Sequence, residues 1–330
     1  RVQLEQSAEP LPLVVTTFGV LAPRDAHDWT WVCPDVTGEV SLTSFFALPD
    51  GTWLMGTIGG LWRSPDRCVW NPIEGPIAGL YVTQIQADTG DPGRLWVSTS
   101  TGGGYNALWY SDDSGLTFQE GVYFGAGSTI RGFLQGAGGG PWFVVGWRDS
   151  LPHLWHSQDG LEWTEHRLAE DGSMSYYPLG LDAFDASSAY LAVRSLDGKD
   201  TLHRVSGDGA LEPLLALGDQ TTAFASGFSA GELFVGGRYV GMYHSSDDGV
   251  TWSGPEAIPE AGCLYTSGDR RYQCVNNYAD GAAVLGTTRS DSRWEPVVWF
   301  GDVHGVEACP VGTRTADICE PLWEVVKYTA

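Results

Sequence analysis

Apolar residues in this chain fall in short blocks bounded by glycine, proline or polar turns, with no sustained helical spacing. "DGTWLMG" (50–56), "GRLWVST" (93–99), "GPWFVVG" (140–146) and "GELFVGG" (231–237) each read as a turn leading into a strand. A second set, "LWRS" (61–64), "LWYS" (108–111), "LWHS" (154–157) and "MYHS" (242–245), reads as strands with an aromatic near the end. Short strands and tight turns predict an all-β protein. No apolar run is long enough to span a bilayer, so membrane insertion is not expected.

The second set leads into a recurring turn. "SDDSGLTF" (111–118) and "SSDDGVTW" (245–252) share the pattern S-x-D-x-G-x-T-[WF], and "SQDGLEW" (157–163) is one residue shorter. Weaker copies start at residues 64, 206 and 288, so successive copies lie 39 to 49 residues apart. A period in that range, with four strand-like segments per unit, predicts propeller blades. Six units fall at roughly 40–74, 81–122, 128–168, 178–217, 221–256 and 263–300. Residues 11–33 read as a third and fourth strand and 304–328 as a first and second. The two ends together predict a seventh, composite blade, and the chain reads as one seven-bladed β-propeller domain of four-stranded antiparallel blades. Ten of the 15 tryptophans recur at matching places, which predicts packing between blades.

The repeated turn resembles the Asp-box (BNR) repeat of sialidases, sortilin-type receptors and photosystem II assembly propellers. The resemblance is specific over the two full boxes and the shortened one, and it implies that the box joins the third and fourth strands of a blade. Ser111, Asp113, Gly115 and Phe118, then Ser157, Asp159 and Trp163, then Ser245, Asp247, Gly249 and Trp252 are accordingly expected to be structural. An aspartate accepts amide hydrogens within its own turn, glycine takes a backbone angle closed to other residues, and the aromatic anchors the turn.

Charge and cysteines narrow the setting. Asp and Glu number 41 against 18 Lys and Arg, a formal net charge of −23, which leaves no basic surface for nucleic acid. Six cysteines without metal-ligand spacing predict disulfides and an extracytoplasmic location. No hydrophobic leader opens the chain, so an export signal is expected to have been removed. A Gly268-Asp269 hairpin puts Cys263 opposite Cys274. Cys309 and Cys319 flank a short segment and are expected to close around a turn, leaving Cys33 with Cys68. No cofactor is predicted, no metal ligands are identified, and only a structural calcium in the channel stays open. A monomer is expected.

Strand order places the box turns on one face, and the second-to-third-strand loops and blade connections on the other. The second face, over the channel mouth, is where a ligand is expected. Aligned second strands put Arg148, Arg194 and Arg238 at matching places in three successive blades, suited to a carboxylate or phosphate. Pairing with local acids such as Asp149, Asp197 or Asp200 is the competing role. Tyr105, Tyr177, Tyr239, Tyr278 and His304 lie on nearby segments and suit sugar or peptide contact.

The expected function is a binding or scaffold module for an anionic glycan or a protein segment. A sialidase-like glycosidase or polysaccharide lyase on the same face is the enzymatic alternative, and a structural surface protein the third. The R-I-P-type arginine motif of sialidases is missing, and no Tyr–Glu pair stands out. "GFSAG" (227–231) lies in a hairpin rather than a nucleophile elbow, and "GAGGGP" (136–141) precedes no helix. His153 and His156 lack a third metal ligand.

Overall fold

The computed structural model describes residues 2–5, 12–16, 18–25, 28–39, 41–102, 104–181, 184, 187–237, 239–256 and 262–327. Seven antiparallel blades form a ring, a seven-bladed β-propeller. Blade one comprises Leu42–Ala47, Trp53–Thr57, Gly60–Ser64 and Asn71–Pro72. Blade two comprises Val82–Ala87, Leu95–Thr99, Ala107–Ser111 and Gln119–Tyr123. Blade three comprises Ser128–Gln135, Trp142–Arg148, Leu151–Ser157 and Thr164–Arg167. Blade four comprises Ser175–Leu181, Ser188–Arg194, Asp200–Ser206 and Leu211–Ala216. Blade five comprises Thr221–Ser226, Leu233–Gly237, Gly241–Ser245 and Ser253–Glu256. Blade six comprises Cys263–Ser267, Arg270–Cys274, Val284–Thr288 and Asp291–Val298.

Burial follows the radial order. The second strands of blades one, two and five are buried along their whole length, because each is flanked by strands and covered on both faces by neighbouring blades. First strands alternate, as in the buried-intermediate-intermediate rhythm of Val82–Ala87, and turn one side toward the channel. Tryptophans fill the gaps between blades: Trp96 of blade two meets Trp142 of blade three edge-on at 4.9 Å. Trp53, Trp70, Trp109 and Trp155 are also buried.

The repeated turns are held by one arrangement. The Asp113 carboxylate accepts the amides of Leu116 and Thr117 at 3.1 and 2.9 Å, and Ser111 Oγ accepts the Gly115 amide at 2.9 Å. Asp247 and Ser245 do the same for Thr251 and Gly249 at 2.8 and 2.9 Å, as Asp159 and Ser157 do for Leu161 and Gly160 at 2.9 Å each. The Trp163 and Trp252 indoles donate to the Gly160 and Gly249 carbonyls at 3.0 Å. In the weak copy of blade one, Arg67 occupies the glycine position at φ 64°, and Trp70 caps its carbonyl at 3.2 Å.

Both chain ends share the seventh blade, but with a different division of strands from the one expected. The N-terminus supplies four strands, Val2–Glu5, Leu13–Thr16, Gly19–Asp25 and Asp28–Val32, with Val2–Glu5 innermost against the first strands of blades one and six. From the C-terminal end only Val303–Val306 is a strand, added outermost and parallel to Asp28–Val32. Residues 315–326 are helical, because Ile318, Leu322, Trp323 and Val326 put one apolar helix face on the core.

Cys263 pairs with Cys274, opposite each other in register. The other two expected pairings are corrected: Cys33 bonds Cys319 and Cys68 bonds Cys309. The helical turn carries Cys319 away from Cys309, and both long-range bridges pin the C-terminal segment onto the ring.

Candidate functional site

A cavity of about 1110 Å³ lies where the first strands meet the channel, with Ser100, Arg194, Gln220 and Gly262 from the mouth-face segments at its rim. Its lining is hydroxyl, amide and apolar, with two arginines and no carboxylate among the described residues. In a chain of net charge −23, this is a pronounced local inversion.

β-Bulges shape the wall. In blade three Ile130 pairs with Gly146 and Gly132 with Val145, leaving Arg131 as the extra residue. Thr43, Thr83, Leu179 and Thr222 are the extra residues at the equivalent place in blades one, two, four and five. All five line the cavity. A bulge re-aims its extra side chain, and here it aims toward the axis. The Thr43, Thr83 and Thr222 hydroxyls donate to backbone carbonyls. Arg131 is exposed and has no acidic partner among the described residues. Its guanidinium lies 4.8 Å from the centre of the Tyr177 ring, and that of Arg194 lies 4.6 Å from the same ring. Gly132 is needed beside Arg131, because a Cβ there would meet Gln84 Oε1 of blade two at 2.9 Å. Gln84 uses that gap to accept the Phe133 amide and donate to the Phe133 carbonyl, both at 2.9 Å.

The arginines singled out from sequence do not form a cluster. Arg194 reaches the cavity but is held by Asp200, with Nε–Oδ1 2.7 Å and Nη2–Oδ2 3.0 Å. The Asp200 hydrogen bond raises the Arg194 pKa. Arg148 turns outward to Glu165 on its fourth strand, donates to the Phe124 carbonyl and lies 5.5 Å from the Trp155 ring centre. Arg238 lies outside the described residues.

The remaining candidates scatter. Tyr177 is a strand residue on the channel wall. Tyr105 stacks on Tyr123 at 4.2 Å and donates to Glu120 of the outermost strand. That is a Tyr–Glu pair, but the Glu120 hydrogen bond pushes the phenol up to about 12, away from a poised nucleophile, and neither residue lines the cavity. Tyr239 is exposed on the mouth face, and its amide donates to Asp219 at 2.6 Å. His304 faces Asp28 at 3.3 Å on the outer edge of the closing blade. Tyr278 lines a separate cleft.

Arg131 was missed because it sits within a strand. Aligning first strands as "TSF" (43–45), "TQI" (83–85), "RGF" (131–133), "LGL" (179–181) and "TAF" (222–224) exposes it as the odd residue of the row. No group of three or more His, Cys, Asp or Glu suited to a metal occurs among the described residues, and no described helix is long and apolar enough to cross a membrane.

Fold and cavity together define a seven-bladed propeller whose described channel lining carries two arginines, one of them paired with Asp200. No protein-family model matches the chain, and no curated protein matches its sequence. Solved structures resemble it in fold. A GH74 enzyme from Niastella koreensis is 14% identical at a TM-score of 0.59, over 86% of this chain and 51% of the enzyme. This chain therefore spans about half that enzyme's length. YCF48 bound to D1 peptide is 17% identical at 0.56, over 84% of this chain and 89% of that one. The BP39L lectin from Burkholderia pseudomallei is 14% identical at 0.53, over 78% and 84%. Identities this low speak for the fold alone.

Proposed function

We propose that the chain is an Asp-box-type propeller acting outside the cytoplasm as a binding module, and that its channel mouth holds an anionic glycan or an acidic protein segment. The observation that carries this reading is Arg131, a cation without an acidic partner among the described residues, in a cavity whose described lining bears no carboxylate. A guanidinium offers two parallel N–H donors to a carboxylate. The Arg194–Asp200 pair is neutral overall and orients Tyr177 rather than supplying a second free charge. The Ser-Asp-Gly-aromatic turns support the Asp-box assignment. Three disulfides support an oxidising compartment. The saccharide and peptide ligands implied by the lectin and the D1 complex are consistent with either ligand class on this architecture. Most glycosidases use two carboxylates facing the cleft, and the described cavity lining offers none, so binding is favoured over hydrolysis of that type at this place.

The test is binding of oligogalacturonate, its neutral methyl ester and glutamate-rich peptides to the parent chain and to Arg131→Gln. An acidic probe that binds the parent should weaken about tenfold in the variant, the worth of one charge-assisted hydrogen bond. Equal affinity for the acidic probe and its neutral ester in both proteins removes Arg131 from the reading.

A further inference from the structure

One tryptophan of the channel wall is left unused by the fold. Trp147 lines the cavity near the mouth end of the second strand of blade three and is only partly buried. The indoles of Trp96, Trp109 and Trp142 are buried and donate hydrogen bonds at 2.7, 3.0 and 2.8 Å. That of Trp147 makes no hydrogen bond, ring contact or cation–π contact among the described residues. We propose that Trp147 stacks a pyranose ring, and that the ligand is a glycan with a single uronic acid beside a neutral sugar, its carboxylate on Arg131. The inference rests on the channel reading above and narrows its ligand.

Register puts these groups on one wall. Trp147 pairs directly with Thr129, so the two side chains stand on the same face of blade three. Both line the cavity, as does Arg131 two residues beyond Thr129. Gly172, in the connection to blade four, lies against the indole: an added Cβ would stand 3.7 Å from the ring. Arg131 in turn lies 4.8 Å from the centre of the Tyr177 ring of blade four. Indole, hydroxyl and guanidinium therefore border the same part of the channel, where blade three faces blade four.

Charge narrows the ligand. Arg194 is neutralised by Asp200, which leaves Arg131 as the one guanidinium available to a ligand in the described lining. It offers paired N–H donors to one carboxylate. Each further carboxylate inside the cavity would lose its water among uncharged side chains, at a cost. That counts against polyuronates and against runs of glutamate or aspartate. A wholly neutral saccharide would leave Arg131 without a counter-charge. A neutral pyranose beside one uronate presents C–H groups to the indole face and hydroxyls at its edge. The side chains of Thr129 and Gln220 make no hydrogen bond among the described residues, and between them offer donors and acceptors to those hydroxyls.

Titration calorimetry on the intact chain tests this with cellobiouronic acid (one glucuronic acid linked to glucose), cellobiose, digalacturonic acid and an alternating glutamate-glycine peptide. Cellobiouronic acid should bind about tenfold tighter than cellobiose, and Arg131→Gln should abolish that preference. Trp147→Ala should weaken both sugars about tenfold, as removing a central aromatic contact does, with Trp147→Phe recovering part of the loss. If the preference for the acid survives Arg131→Gln, the channel reading itself fails. If Arg131→Gln removes it but Trp147→Ala, with parental thermal unfolding, binds both sugars like the parent, the stacking role alone is overturned. Tighter binding of digalacturonic acid or the peptide than of cellobiouronic acid overturns the ligand assignment, as does no binding of cellobiouronic acid at millimolar concentration.

Discussion

Arg194 and Asp200 form a two-point ion pair, 2.7 and 3.0 Å, in which the aspartate is almost wholly buried. Asp200 also accepts the Thr221 amide at 2.7 Å and so ties blade four to blade five. Removing the carboxylate strands both a largely buried guanidinium and an amide. Asp200→Ala should therefore cost about 3 kcal/mol in denaturant unfolding, the lower part of the range for a broken buried pair because Arg194 keeps some solvent contact. Asp200→Asn, which retains an acceptor, should cost less. An alanine variant as stable as the parent would show that the pair is not structural.

The two long-range disulfides act on the same segment. Cys33–Cys319 and Cys68–Cys309 both hold the C-terminal stretch against the ring, where Thr30 Oγ1 also donates to Glu307 at 2.8 Å. With one bridge intact, the other closes only the short stretches 33–68 and 309–319 rather than most of the chain, so losing the first bridge costs less loop entropy than losing the last. Cys319→Ser with Cys33→Ser should lower stability within the usual range of about 2–5 kcal/mol for a native disulfide, and by less than the same change made where Cys68–Cys309 is already gone. Removing both bridges should cost more than the sum of the two single losses. Additive losses in thermal unfolding would contradict the shared-loop account.

What the chain disclosed in advance was whatever repeats or pairs locally. Box, blade period and the Cys263–Cys274 hairpin all follow from neighbours in sequence. The other bridges depend on the path of the C-terminal segment in space, and its helix-forming apolar positions at 318, 322 and 326 were read as strand. The channel site was hidden for a related reason. Side-chain direction in a strand alternates with period two, so one bulged residue reverses the facing of what precedes it. Matching Arg148 with Arg194 found equivalent strand ends, yet each had an acid within reach. Arg131, in the first strand, has none among the described residues.

Acid should attack the boxes together. The Asp247 carboxyl is held below the usual range chiefly by the hydroxyl and amide of Thr251, and that of Asp159 by the amides of Leu161 and Glu162. Asp66, Asp113 and Asp208 are depressed as well. A carboxyl whose folded pKa lies below its unfolded value stabilises the fold above the unfolded value, and that contribution disappears as pH falls through the folded value. The melting temperature should hold steady above about pH 5 and fall steeply below about pH 4, where free aspartates titrate. Asp159→Asn with Asp247→Asn should melt lower at neutral pH and lose less on acidification. An equally steep acid response in that double variant would place the sensitivity elsewhere.

Asp248, the variable position of the last full box, has a role of its own. Its backbone sits at φ 60°, and its carboxylate accepts the hydroxyl of Tyr190 at 2.8 Å and pairs with Arg204 at 3.0 Å, both in blade four. Two effects then compete on substitution. Asparagine tolerates the left-handed backbone and keeps an acceptor for Tyr190, so Asp248→Asn should stay close to the parent. Glycine relieves the backbone but strands the phenol, a cost of about 1–3 kcal/mol offset by about 1 kcal/mol. Alanine strands the phenol without that relief. Stability should therefore rank asparagine above glycine and glycine above alanine. In Tyr190→Phe, which has already lost the hydroxyl, Asp248→Gly should destabilise less, keeping only the loss of the Arg204 pair. If it still costs as much there, the Tyr190 contact is not what Asp248 contributes.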